Sequence, residues 1–363
     1  MLGDCAQTLK EIPDNSVQCC VTSPPYFGLR DYGHDDQIGL EKTPEEFIAK
    51  LVNVFREVRR VLKDDGVLWV NIGDSYAGSW GNYGGKNRGK GGQREIISGS
   101  IENDVEHKQP STIRPASSYL SEDLKAKDLI GIHWMLAFAL RADGWYLRQD
   151  IIWNKPNPMP ESVKDRCTKA HEYIFLLSKS QKYFFDAEAI SEPITDAAAI
   201  RLLQNIAEQE GSSRVPGKTN GNMKAVVRKD FDSSMGGGGT TFVGHSGYRK
   251  ADGTLIVKPT RNRRSVWTVT TKPYKGAHFA TFPPELIEPC ILAGSKPGDT
   301  ILDPFGGSGT TAGVAIKHGR KTILCELNSD YRHLMVERIE KICGKKVDTY
   351  NYYNDNDEED ELC

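Results

Sequence analysis

No run of this chain is apolar for long enough to cross a bilayer. The longest, 130–140 (IGIHWMLAFAL), contains His133 and is about half of the ~20 residues a spanning helix needs. The N-terminus also lacks a charged and then apolar leader, so a cytoplasmic protein with no membrane partner is expected. Paired cysteines are missing too. Cys5, Cys19, Cys20, Cys167, Cys290, Cys325, Cys343 and Cys363 are scattered, mostly inside apolar runs. With no Cys-x-x-Cys spacing, a zinc site is not expected and the thiols read as reduced and structural. Charge of one sign is lacking overall, at a net −2, but this balance is uneven: residues 211–275 carry thirteen Lys and Arg against three Asp. That segment suits a polyanion although the whole chain does not. What is present, 38% hydrophobic residues over 363 positions, suffices for one large core plus a smaller module and excludes disorder throughout.

The run VQCCV at 17–21 is short, apolar and β-favouring, and it leads to a Pro-Pro pair that cannot continue a ladder. It predicts a buried strand that delivers Ser23 to its C-terminal tip, where open α/β sheets bind ligands. Thr43 and Pro44 open an amphipathic helix with apolar residues at Phe47, Leu51, Val54, Phe55, Val58 and Leu62, stopped by Asp64-Asp65-Gly66 before a strand VLWVNI. Residues 78–118, with eight glycines and no periodicity, predict a mobile surface loop. A helix is expected over 126–143, then strands LRQDIIW and HEYIFLLS, which lack a helix between them, so that one must run antiparallel. The expected class is therefore α/β, Rossmann-like, with a mixed, mostly parallel sheet and one antiparallel strand. Residues 186–265 change character, to a polar helix and then Gly-, Lys- and Arg-rich sequence, and read as an inserted recognition region between two halves, 1–185 and 266–345, of one domain. The acidic tail 346–363 is expected to be disordered.

GDTILDPFGGSGTT ends an apolar strand on an acid and opens a helix through a Gly-rich turn, so backbone can approach a ligand beside helix N-terminal amides. The spacing is not that of the dinucleotide fingerprint, and the lysine of a phosphate-cradling loop is absent. Asp303 would repel a pyrophosphate but suits a cation. Glu326 stands at the end of the next strand, twenty residues after Gly306, where a carboxylate accepts from ribose hydroxyls. An adenosine carrying a positive substituent fits both acids. In Ser23-Pro24-Pro25-Tyr26 the prolines fix φ and lack N–H groups, leaving carbonyls free to accept hydrogen bonds. An extruded base amino group needs such acceptors: Ser23 Oγ and a backbone carbonyl take its hydrogens while the Tyr26 ring stacks on the base.

Together TSPPYFGLRDYG, DGVLWVNIGDSY, LRADGWYLRQDIIWNKPNPMPES, HEYIFLLSKS, RRSVWTVTTKPYKGAHFATFPPELIEPCI, DPFGGSGTT and CELN, in that order over roughly residues 3–340, resemble the DNA amino-methyltransferases that modify cytosine N4 or adenine N6. The order is that of the circular type with the catalytic motif first and the cofactor motif last. The resemblance implies S-adenosylmethionine as cofactor, no metal, and duplex DNA as partner, in a prokaryotic or phage-encoded protein. Where the enzyme is half of a restriction pair, it also implies a cognate endonuclease acting on the same site without direct contact. It places Asp303, Pro304, Phe305, Gly306, Gly307, Ser308, Gly309, Thr310 and Thr311 in the cofactor loop, Glu326 on the ribose, and His278, Phe279 and Phe282 on the methionine or adenine side. Asp4 matches the family's adenine-contacting acid, but only Met1 and Leu2 precede Gly3, where relatives carry a short strand, so a late start is expected. Serine before Pro-Pro-Tyr is typical of cytosine N4 enzymes and Asp or Asn of adenine N6 enzymes. Cytosine N4 is thus the expected target and adenine N6 the alternative. Trp153 and Lys155, after a strand on the same face, and Arg261, Arg263 and Arg264 in the basic region are expected to touch DNA, mostly at phosphates. Cys290 lies in an apolar helical run and is expected to pack rather than react, since an exocyclic amine needs no covalent adduct. An RNA or protein amino-methyltransferase and a silent nucleic-acid-binding module are the rival readings.

Overall fold

The computed structural model describes residues 1–28, 37–77, 124–196, 259–272 and 281–347, together with the backbone of 241–243, 247–249 and 255–257. The expected loop 78–118 and most of the acidic tail lie outside the described residues, as do His278 and Phe279. The chain forms two compact units, Met1–Phe185 with Ser265–Cys363, and Asp186–Arg264.

The first unit is built on a seven-stranded sheet. Its strands are β1 (Val17–Thr22), β2 (Leu62–Ile72), β3 (Tyr146–Asn154), β4 (His171–Ser178), β10 (Val266–Thr268), β11 (Thr300–Asp303) and β12 (Lys321–Leu324). They lie in the order β10-β3-β4-β2-β1-β11-β12, and β4 alone runs antiparallel to both its neighbours. The helices are a single turn α1 (Cys5–Thr8), then α2 (Pro44–Val61), α3 (Ile132–Ala142), α4 (Pro284–Gly294), α5 (Thr310–Lys317) and α6 (Arg332–Cys343). Side-chain alternation along β1 and β2 sorts them to two faces. Cys20, Leu68 and Val70 join the core under α2 and α3, whereas Cys19, Val67 and Trp69 meet Gly294 of α4. The α/β class with one antiparallel strand is thus observed.

Three boundaries differ from expectation, each for a tertiary reason. The sheet captures Leu62, so β2 begins directly after α2; Val17 pairs with Leu62 and Cys19 with Val67, and the surplus residues 63–66 bulge out. Helix α3 starts at Ile132 rather than near 126, because Gly131 sits at φ +83° and Asp74 accepts the N–H groups of Gly131 and Ile132 at 3.0 Å. Strand β12 stops at Leu324 because the next residues exchange partner. Glu326 N–H donates to Met1 O and Gly3 N–H to Glu326 O, at 3.0 and 2.8 Å. The start of α2 follows its sequence: Thr43 Oγ1 accepts from Glu46 N–H at 3.2 Å, with Pro44 in the first turn.

In the second unit β5 (Glu192–Pro193) pairs with β9 (Thr260–Arg261), and β6 (Thr241–Val243), β7 (Gly247–Arg249) and β8 (Leu255–Val257) form an antiparallel meander. No described helix in the chain is long and apolar enough to cross a membrane.

Candidate active site

Strands β1 and β11 are parallel neighbours, with Cys20 opposite Leu302, so their C-terminal tips lie side by side. One cleft there is lined by Ser23, Thr281, Phe282, Asp303, Phe305, Gly306, Gly307, Ser308 and Thr310. The Ser-Pro-Pro-Tyr segment and the glycine loop, some 280 residues apart in sequence, therefore meet across one strand spacing.

Asp303 is the hub of that junction. It is 2% exposed, and burial pushes its carboxyl up from the ordinary 3.8 to about 6 against the pull of its hydrogen bonds. Thr22 Oγ1 donates to Oδ1 at 2.6 Å, Phe305 N–H to the same oxygen at 3.1 Å, and Thr311 Oγ1 to Oδ2 at 2.6 Å. The carboxylate thus stitches β1, the loop and α5 together before it can serve any ligand. Glu326 does the same one strand further on. Gly307 N–H donates to its Oε2 at 2.7 Å and Asn328 N–H to its Oε1 at 2.9 Å, while burial raises it to about 7. Each oxygen keeps a lone pair for a further donor. Pro304 carries the chain from Asp303 into the turn, and Gly309, at φ +76°, caps α5. A Cβ on Gly309 would stand 2.7 Å from Met335 Cγ and 2.8 Å from Ile339 Cγ1, so glycine is required on two counts. Ser308 and Thr310 are buried, their hydroxyls 3.4 Å apart. A concave turn, helix N-terminal amides and two acids whose charge burial makes costly form a set that fits a nucleoside bearing a cationic group. Asp4 caps α1, accepting from Gln7 N–H at 3.1 Å, one residue from the Gly3–Glu326 bond that brings it beside this loop.

Tyr26 is held by residues that the sequence reading did not single out. Its hydroxyl donates to Glu172 Oε2 at 2.8 Å; Asn71 Nδ2 reaches the same oxygen at 3.3 Å and Tyr173 O at 3.0 Å. Lys155 forms an ion pair with Glu172 Oε1. A Cβ on Gly73 would lie 2.4 Å from Tyr26 Cε2 and 2.9 Å from Cδ2, so the ring rests directly on the Gly73 backbone. The available signal was polar residues at the ends of two apolar strands, NIGD after β2 and HE at the start of β4.

The expected DNA contacts divide. Trp153 is 4% exposed, its Nε1 donates to Val269 O at 2.8 Å, and the Lys155 ammonium sits 4.2 Å from its ring centroid. Lys155 is committed to Glu172. In the second unit, Arg261 and Arg264 approach Glu192 at 3.5 and 3.3 Å, with Arg263 between them in sequence. Cys290 is 1% exposed within α4, and burial pushes Cys19, Cys20 and Cys325 well above the usual thiol range, so these four are not poised as nucleophiles. Among the described residues no group of His, Cys, Asp or Glu is arranged to hold a metal.

Residues 17–337 match the model of the DNA methylase family of N6 and N4 type. The type II methyltransferase M.Cfr9I of Citrobacter freundii is 44% identical over 338 residues, covering 93% of this chain and 86% of its own. M.SmaI of Serratia marcescens is 41% identical over 342 residues, covering 93% and 89%. Among solved structures, the PvuII DNA methyltransferase, described as cytosine-N4-specific, shares the fold with a TM-score of 0.53 at 17% identity, over 94% of this chain and 90% of its own. Since the match runs from the strand that delivers Ser23 to the helix beyond Glu326, this chain belongs to the DNA methylase family and is a DNA methyltransferase.

Proposed function

We propose that this protein transfers the methyl group of S-adenosylmethionine directly to N4 of a cytosine flipped out of duplex DNA, with the circular motif order in which Ser23-Pro24-Pro25-Tyr26 precedes the cofactor loop. The observation that carries the reading is the shared cleft of Ser23 with Asp303–Thr310. S-adenosylmethionine supplies an electrophilic methyl on a sulfonium; the rest is positioning. Ser23 Oγ and the Pro24 carbonyl accept hydrogen bonds from the two amino hydrogens, which turns the nitrogen lone pair toward the methyl, and the proton that the methylated nitrogen must lose leaves along one of these bonds to solvent. Tyr26 stacks on the extruded base, and Glu172, Asn71 and Gly73 keep its ring in place. Glu326 would accept from the ribose hydroxyls, Asp4 would serve the adenine, and His278, Phe279 and Phe282 would serve the methionine or adenine side. Asp303 holds the turn and would balance the sulfonium charge. No adduct to the ring is required, in keeping with the buried Cys290.

Serine at position 23 favours cytosine over adenine; adenine N6 is the alternative, served by the same geometry. The type II relatives support a place in a restriction–modification pair, with duplex DNA as substrate and a cognate endonuclease that acts on the same site, without direct contact, where it is unmethylated. Residues 186–265 are assigned to recognition of the target sequence, and Arg261, Arg263 and Arg264 to DNA phosphates. Incubating the enzyme with DNA and labelled cofactor, then digesting to nucleosides, tests the reading by mass. N4-methylcytosine is expected; N6-methyladenine would reassign the base, and no transfer to duplex DNA would overturn the proposal.

A further inference from the structure

Between β3 and β4 the chain leaves the sheet as a loop, 156–169. Its neck is closed by Lys155 N–H donating to Ala170 O at 2.8 Å, and of the residues that flank the neck Glu172 accepts from the Tyr26 hydroxyl while Lys155 pairs with Glu172. The loop has no regular structure, yet it is tied on each side. Asn157 Nδ2 donates to Thr271 O and Thr271 N–H to Asn157 Oδ1, both at 3.0 Å. Glu161 accepts from Lys169 N–H at 3.3 Å and from Arg166 at 3.4 Å, and the Arg166 guanidinium lies 3.8 Å from the Tyr76 ring centroid.

Within this braced loop, Met159 sits between Pro158 and Pro160 and is 82% exposed; the next most exposed large apolar side chain among the described residues, Val266, is at 54%. A single exposed apolar residue on a mobile loop is ordinary. Here prolines with fixed φ stand on both sides of it and Asn157 is tied to Thr271 two residues away, which restricts the backbone that presents the side chain to solvent. Thioether side chains are long, unbranched and polarizable, and methionine is among the apolar residues that wedge between base steps.

Resting on the reading that a base is flipped into the Ser23 cleft, we infer that Met159 enters the duplex beside the extruded nucleotide and fills the vacated stack. Unstacking a base is unfavourable, and an apolar plug that offsets part of that cost holds the open state long enough for transfer. Exposed Lys164 in the same loop gives the wedge a cation for an adjoining phosphate.

The test uses a duplex containing the sequence that the full-length enzyme modifies, with 2-aminopurine next to the target base as a reporter of unstacking. Met159→Ala should lower the fluorescence gain and reduce kcat/KM by roughly ten-fold or more, with cofactor affinity unchanged. The loss should shrink when the target base is mispaired, since the pair then opens without help. Met159→Leu, which keeps an apolar side chain of similar size, should restore the signal. Equal fluorescence and equal kcat/KM in Met159→Ala and the natural protein would overturn the inference while leaving DNA methylation intact. An effect confined to self-association of the free protein would overturn it too, by making Met159 a protein contact. Absence of transfer to duplex DNA by the natural enzyme would overturn both this inference and the reading beneath it.

Discussion

At Gly73 one missing carbon decides where an aromatic ring can lie. The residue is outside the left-handed region, so alanine is tolerated by the backbone and its effect is steric alone. Its Cβ would overlap Tyr26 Cε2 at 2.4 Å, which obliges the ring to move. A displacement of about 1 Å at a reacting centre costs on the order of 100-fold in rate. Gly73→Ala should therefore lose transfer on that scale while binding cofactor normally, as single-turnover rates and calorimetry would report; a full rate would disprove the role given to the Tyr26 ring. Glu326 yields a pH prediction. Burial raises the free carboxyl to about 7, and ribose hydroxyls donating to it favour the ionised form, so binding releases a proton below that pH. Cofactor affinity should rise with pH between 6 and 7 and level off above, with that inflection gone in Glu326→Gln, and calorimetry in buffers of different ionisation heat would show whether the proton is released. The sign for stability is the reverse. The folded chain holds this proton more tightly than the unfolded chain, so its contribution is present below the ordinary 4.5 and is lost as pH rises through about 7.

Helices α5 and α6 cross closely because α5 offers glycine at the contact. A Cβ on Gly313 would meet Ile342 Cβ at 2.7 Å and its Cδ1 and Cγ2 at 3.0 Å. Alanine gains about 1 kcal/mol of helix propensity, but overpacking against a branched side chain costs about 1–3 kcal/mol. Gly313→Ala should thus lower the unfolding midpoint modestly and weaken cofactor binding, since α5 carries the loop at its N-terminus; a raised midpoint would show that α6 yields freely. Elements of this kind were partly legible in the sequence. The apolar runs VQCCV and VLWVNI, the Thr43-Pro44 start and the helix-free β3–β4 link depend on neighbours in sequence, and each lies in the element expected for it. The start of α3 was not legible, because its cap is Asp74, 57 residues away in sequence. Nor was the seating of Tyr26, since Glu172 is 146 residues distant and only the antiparallel pairing of β2 with β4 brings it there. Asp303 was read as a charge facing a ligand; that both its oxygens bind Thr22, Phe305 and Thr311 follows from the β1–β11 pairing, which no local pattern encodes.

For the molecule as a whole, a net charge of −2 gives no general attraction to DNA, so affinity must come from where the cations are placed. Thirteen of them lie between 211 and 275, against three acidic residues. Arg261 and Arg264 converge on Glu192, which preorders them but also neutralises one charge in the free protein. If these arginines meet phosphates, binding releases counterions, and each contact contributes nearly one unit to the slope of log affinity against log salt. Replacing Arg261, Arg263 and Arg264 by Gln together should then lower that slope by about three units and weaken binding to all sequences alike, with kcat preserved at saturating DNA. Filter-binding titrations at several salt concentrations, on specific and random duplexes, distinguish the cases. An unchanged slope with a loss confined to the specific duplex would mean that the arginines read base edges instead. Lys155 serves as the internal comparison, for its charge is already matched by Glu172: Lys155→Gln should leave the slope nearly unaltered while slowing transfer through Tyr26.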